Sequence, residues 1–145
     1  MDQPRVLIVD DEPSMLKLAG RLMEASGYDV MVALDGEQAL EAMGQVTPDL
    51  ILCDINMPGM NGYSFYKAVR SRHEWVTIPF IFLTGRGDRA DVLAGKALGV
   101  EDYLTKPFHL PELQVAVRAR LERAQAIREA FRTEGKRLAE SRCVS

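Results

Sequence analysis

Two cysteines, Cys53 and Cys143, are all that the 145 residues contain. They give neither a disulfide framework nor a metal-ligand spacing, and a reducing cytosol is the expected setting. No apolar run reaches the roughly 18 residues of a membrane span, so none is expected. The first residues, MDQPRVLIV, lack the basic and long apolar regions of a secretory signal, and no leader is expected there. The two histidines, His73 and His109, have no ligand spacing and are expected at the surface. There is no Gly-x-x-x-x-Gly-Lys loop, which argues against a P-loop nucleotidase. No internal repeat, low-complexity stretch or interior linker is present.

What is there suits one globular domain with a real core. Hydrophobic residues make up 47% and charged residues 27% of the chain. The net charge of −3 is unevenly spread: residues 118–145 carry +4 and the rest −7. A basic tail suits nucleic acid or an acidic partner, but a solvated helix is the simpler expectation. Glu129 and Arg132, and Glu134 and Arg137, sit at helix-pair spacing. Nucleic-acid binding is not evident in the chain.

Strand-length apolar runs occur at Val6–Val9, Val30–Ala33, Leu50–Cys53, Phe80–Leu83 and, more weakly, Tyr103–Leu104. Helical periods lie between them. Met15, Leu18, Ala19, Leu22 and Met23 are expected on one helix face, and Ala39, Leu40 and Met43 on the next. Ser26-Gly27, Gly36 and Gly44 punctuate these elements. Five strands alternating with helices predict an α/β fold, a doubly wound parallel sheet covered on both faces. Near the end, Leu110, Leu113, Val117, Leu121, Ala124, Ile127, Phe131 and Leu138 form a helical stripe. A final helix of roughly 24 residues, about 36 Å long, is expected, its second half projecting from the domain. Such a stripe favours a partner helix.

The run RVLIVDDEPS, residues 5–14, poses a chemical problem. A buried strand ends without a gap in Asp10, Asp11 and Glu12. Two carboxylates about 4 Å apart repel by about 4 kcal/mol at an effective dielectric of about 20. A solvated turn at a helix start is the bland explanation. In an open α/β sheet, however, ligands gather beyond the carboxyl ends of the strands. There the third strand delivers Asp54, the fourth Thr84 and the fifth Lys106. With strand order 2-1-3-4-5, three carboxylates converge from adjacent strands. They require protonation or a cation. Oxygen ligands suit Mg²⁺. With Lys106, such a cation balances the acids and lets the site take a phosphoryl group, with a carboxylate as nucleophile.

The chain resembles the receiver domain of two-component response regulators. The likeness covers residues 5–122 and is carried by VDDE (9–12), DINMPGMNG (54–62), FLTG (82–85), GVEDYLTKPF (99–108) and Leu113. The resemblance implies the flavodoxin-like strand order 2-1-3-4-5. The resemblance implies that Asp54 is the phosphoacceptor, attacking the phosphohistidine of a sensor histidine kinase or phosphotransfer protein. It implies Mg²⁺ on Asp11 directly, on Asp10 largely through water, and on Asp54 and the backbone carbonyl of Asn56. Lys106 would pair with the phosphoryl group, Thr84 would swing its hydroxyl onto it, and Tyr103 would be the aromatic switch. Gly85 leaves that turn room to move. The Lys106–Pro107 bond would be cis. Slow self-hydrolysis is implied, with output through a face made by the fourth helix, fifth strand and last helix.

The expected division is a receiver domain over residues 1–122 and a helical extension over 123–145, with a homodimer or a partner helix on Leu121, Ile127 and Phe131. Cys53 is expected to be a buried small hydrophobe. The GRGDRA run (85–90) mimics a dinucleotide loop and contains Arg-Gly-Asp, but sits on the fourth strand, the wrong place for the former. Two rivals compete with the receiver reading. An aspartate-nucleophile phosphohydrolase would need a second acid two residues after its nucleophile, where Asn56 stands. A binding module without phosphoryl transfer would not need Asp10, Asp11, Asp54, Thr84 and Lys106 together.

Overall fold

The computed structural model describes residues 3–85, 93, 96–97, 102–106 and 108–143, the last six by backbone alone. In chain order the elements are β1 (Arg5–Val9), α1 (Pro13–Ala25), β2 (Asp29–Ala33), α2 (Gly36–Gln45), β3 (Leu50–Asp54), α3 (Gly62–Arg70), a 3₁₀ turn (His73–Trp75), β4 (Phe80–Thr84), β5 (Tyr103–Thr105) and a C-terminal helix (Leu110–Cys143). Between β4 and β5, Leu93, Lys96 and Ala97 are helical. The strands form one parallel sheet in the order β2-β1-β3-β4-β5, as expected.

Strand periodicity divides the core into two. Leu7, Val9, Ile51, Cys53, Phe80 and Phe82 face α2 and α3. Val6, Ile8, Leu50, Leu52 and Ile81 face α1 and the C-terminal helix. Neighbouring residues in a strand point to opposite faces, so strands covered on both sides are apolar throughout. Full burial of each such aliphatic side chain is worth about 1.5–3 kcal/mol. Val32, by contrast, is 54% exposed because β2 is an edge strand.

The helices start where local chemistry allows. Asp35 accepts the Gln38 N–H at 2.8 Å and opens α2, while Asn61 accepts the Ser64 N–H at 2.9 Å and opens α3. Pro13 stands in the first turn of α1, where no N–H is needed.

Two helical expectations are corrected. The buried face of α1 is Leu16, Ala19, Gly20 and Met23, and Leu18 is 52% exposed. The wheel of α1 fits two neighbouring apolar stripes, and packing selects the one containing Gly20, which lies close against Val30. The final helix has 34 residues, about 51 Å, instead of roughly 24. Leu113, Val117 and Leu121 are buried against the sheet, so Leu121, expected in a partner contact, is spent within the domain, and Ala124 is half-buried. Every side chain from Gln125 to Arg137 is exposed. The Glu134–Arg137 pair forms at 2.7 Å on this stretch, while Gln125 donates to Glu129 at 3.1 Å.

Candidate functional site

Four strand ends build the site along one edge of the sheet. The Asp10 N–H donates to the Ala33 carbonyl at 3.1 Å, which fixes the turn just past β1. Asp54 is the last residue of β3, opposite Leu83 in the register with β4. Thr84 closes β4 and pairs with Thr105. The Lys106 N–H donates to the Thr84 carbonyl at 2.6 Å, extending the β4–β5 pairing to the lysine.

The parallel sheet therefore brings together side chains far apart in sequence. Oxygens of Asp10, Asp11 and Asp54 all lie within 4.8 Å of one another. Lys106 Nζ is 2.9 Å from Asp10 Oδ2 and 3.5 Å from Asp54 Oδ2. Asp10 is fully buried, and Asp54 and Thr84 nearly so. The Glu12 N–H donates to Asp10 Oδ1 at 3.0 Å, so the first acid also closes the turn into α1.

The electrostatics follow from burial. Desolvation pushes the Asp54 carboxyl up from 3.8 to about 6. Lys106 opposes that rise, Asp10 and Asp11 add to it, and a hydrogen bond from the Asn56 backbone opposes it again. Burial by itself would lower Lys106. The hydrogen bond to Asp10 and the charges of Asp54, Asp10 and Glu12 outweigh it and raise the lysine above its ordinary value. Cys53 is wholly buried, and burial first, then Asp54 and Asp10, push its thiol well up. It behaves as the expected inert core residue, its Sγ 3.2 Å from the Asp54 carbonyl.

Three convergent carboxylates with one lysine form an oxygen-rich, electronegative site. That donor set fits a hard divalent cation such as Mg²⁺. The loop after Asp54 is shaped for close approach. Gly59 has φ +73°, outside the range comfortable for other residues. A Cβ on Gly62 would lie 2.5 Å from the Asp54 carbonyl oxygen and 2.8 Å from Ile55 Cα. The Gly62 N–H donates to the Ile55 carbonyl at 2.8 Å, drawing the start of α3 onto the end of β3.

Tyr103 sits beside Phe82, its ring stacked at 5.9 Å and 25°, and it packs with the core on the α2–α3 side. Its hydroxyl is 3.4 Å from that of Tyr63. Neither this pairing nor the role of Lys106 as the partner of Asp10 is visible in the sequence. Both need the strand order and the position of α3. His73 and His109 are exposed, as expected. Pro107, and with it the Lys106–Pro107 bond, lies outside the described residues, as does GRGDRA beyond Gly85. Among the described residues no helix is long and apolar enough to cross a membrane.

The chain has extensive likeness to known proteins. A family model described as the response regulator receiver domain matches residues 6–118. The DNA-binding response regulator MtrA of Mycolicibacterium smegmatis is 40% identical over 119 residues, 82% of this chain and 51% of that protein. The DNA-binding dual master transcriptional regulator RpaA of Synechocystis is 38% identical over 127 residues, 88% of this chain and 53% of that one. This chain thus spans about half the length of such relatives. The chemotaxis protein CheY4 of Vibrio cholerae superposes with a TM-score of 0.76 at 33% identity, covering 81% of this chain and 98% of that one. The ordered sheet, the acid cluster at its carboxyl edge and this match over residues 6–118 make the chain a member of the response regulator receiver family, the phosphoacceptor modules of two-component systems.

Proposed function

We propose that Asp54 is the phosphoacceptor, taking a phosphoryl group from the phosphohistidine of a sensor histidine kinase or phosphotransfer protein. One observation carries this reading: Asp54 ends its strand 3.5 Å from Lys106 and within 4.8 Å of the other two acids. A carboxylate oxygen of Asp54 forms the new bond to phosphorus, the donor's nitrogen–phosphorus bond breaks, and the imidazole leaves with its electron pair. Lys106 donates to a phosphoryl oxygen. The Thr84 hydroxyl donates to another.

Asp10, Asp11, Asp54 and the Asn56 backbone carbonyl would hold Mg²⁺. When bound, it supplies positive charge against the phosphoryl oxygens. Phosphorylation adds about one negative charge at Asp54 relative to the free carboxylate. Thr84 and Lys106 move toward it, and Tyr103 follows. The readout surface is the face of the helical segment between β4 and β5, β5 itself and the C-terminal helix. Slow self-dephosphorylation and a cytoplasmic location accompany this reading. Residues 1–122 serve as the receiver and 123–145 as a helical extension for a partner helix, a second copy being the first occupant to test. The exposure of Ile127 and Phe131, 43% and 75%, supports the latter.

Intact-mass measurement after incubation with acetyl phosphate tests the central step. A single phosphoryl adduct is expected only with Mg²⁺ and only with Asp54 in place. An adduct surviving in Asp54→Ala would overturn the assignment.

A further inference from the structure

We infer that Tyr63 is a positioning residue for Tyr103, tying the switch aromatic to the end of the acceptor strand by a route that bypasses Thr84. This inference rests on the reading of Tyr103 as the switch.

Three rings span α3, β4 and β5. Tyr63 lies 5.0 Å from Phe82 at 57°, and Tyr103 lies 5.9 Å from the same ring at 25°. Phe82 is fully buried, whereas both tyrosines are partly buried. Each tyrosine thus has an apolar body against a fixed core ring and a hydroxyl at the rim. The two hydroxyls are 3.4 Å apart, longer than the usual O–H···O hydrogen bond of about 2.5–3.0 Å, so the contact is a weak one. That contact joins the second residue of α3 to the first residue of β5.

Tyr63 in turn is not free to move independently of Asp54. It follows Gly62, whose missing side chain brings the backbone of α3 against the Asp54 carbonyl and Ile55. The Gly62 N–H bond to the Ile55 carbonyl, at 2.8 Å, clamps this junction. A shift of the strand end is therefore passed to Tyr63 through rigid backbone and to Tyr103 through the hydroxyl pair. Burial raises the Tyr103 phenol above its ordinary value, and the contact with Tyr63 offsets only part of that rise. At rest the contact holds Tyr103 over the α3 face, the side on which the core cluster receives it.

The full chain labelled with 3-fluorotyrosine tests this. It has four tyrosines, Tyr28, Tyr63, Tyr66 and Tyr103, so the Tyr103 fluorine resonance is assignable with Tyr103→Phe. Tyr63→Phe keeps the ring against Phe82 and removes only the hydroxyl. In that variant, without phosphodonor, the Tyr103 fluorine should show a larger solvent isotope shift as the ring is released. Labelling of Asp54 by acetyl phosphate with Mg²⁺ should quicken by about two- to fivefold, because the lost contact stabilised the resting position. An unchanged Tyr103 resonance and isotope shift in Tyr63→Phe would overturn the inference while leaving the switch reading intact. A wild-type Tyr103 resonance indifferent to phosphorylation would overturn the switch reading, and this inference with it.

Discussion

Lys106 Nζ stands nearer to Asp10 than to Asp54, 2.9 Å from Asp10 Oδ2 against 3.5 Å from Asp54 Oδ2. The lysine thus satisfies the most deeply buried acid and only partly offsets Asp54. Asp54 keeps the cost of desolvation, and its carboxyl rises to about 6. The fold therefore disfavours the charged form of Asp54, the proposed phosphoacceptor. This arrangement has consequences for stability as well as for chemistry.

Asp54→Asn should stabilise the metal-free protein. The folded value of about 6 exceeds the ordinary 3.8, so the folded chain holds a proton that the unfolded chain releases. The stabilising contribution of protonated Asp54 is complete below the lower value and is lost as pH rises through the upper one. At pH 7 the wild type has lost it, and the variant never depended on it. Urea unfolding in a chelator at pH 7 should favour Asp54→Asn by about 1–2 kcal/mol, with a flatter profile between about pH 4 and 6. A less stable variant at pH 7 would contradict this account.

Lys106→Met should act in the opposite direction. It leaves Asp10, fully buried, without the ammonium 2.9 Å away. Removing one member of a buried pair costs about 2–4 kcal/mol at neutral pH. Adding Asp10→Asn should recover much of the loss, and a double-mutant cycle measures the coupling. Because Lys106 is raised above its ordinary 10.5, its contribution is present below that value and fades only as pH climbs beyond it. Additive single-mutant effects would count against a direct Lys106–Asp10 interaction.

Two glycines should respond oppositely to alanine. Gly62→Ala places a methyl 2.5 Å from the Asp54 carbonyl oxygen, a backbone atom with little freedom to yield. A loss above about 2 kcal/mol in chemical denaturation is expected. Gly135 lies within the C-terminal helix with nothing within 4 Å of an added Cβ. Gly135→Ala should raise helicity by circular dichroism, reflecting a propensity gain of about 1 kcal/mol. Global stability should be unaffected, because the surrounding side chains are exposed.

Truncation after Arg123 should leave the unfolding free energy of the sheet-forming part within about 0.5 kcal/mol of the full chain. It removes no buried side chain among the described residues, the last being Leu121. Light scattering on both forms then reads the role of the extension. A heavier species in the full chain alone supports self-association through Ile127 and Phe131. Equal monomer masses would exclude it.

Much of the fold is legible in the sequence. Val6–Val9, Leu50–Cys53 and Phe80–Leu83 read as strands because a sheet covered on both faces needs apolar residues at every position. Asp35 and Asn61 show that helix starts are written locally as well. The rotation of α1 is not written so clearly. Its two neighbouring stripes share Ala19 and Met23, and packing against the sheet and the C-terminal helix selects the one with Leu16 and Gly20. The length of the C-terminal helix is hidden for a related reason. Gly135 interrupts the stripe but not the backbone hydrogen bonding.

The sequence by itself determined the elements, the parallel sheet and the types of residue at each strand's carboxyl end, because those follow from local periodicity and turn chemistry. Resemblance to receiver domains then fixed the strand order and the expected roles. Only the tertiary structure decided which charges meet. That Lys106 faces Asp10 before Asp54, that Gly62 must lack a Cβ, and that Tyr63 reaches Tyr103 all depend on distances between elements separated by tens of residues. Coulombic and steric terms change steeply over an ångström or two, and no one-dimensional pattern carries that resolution.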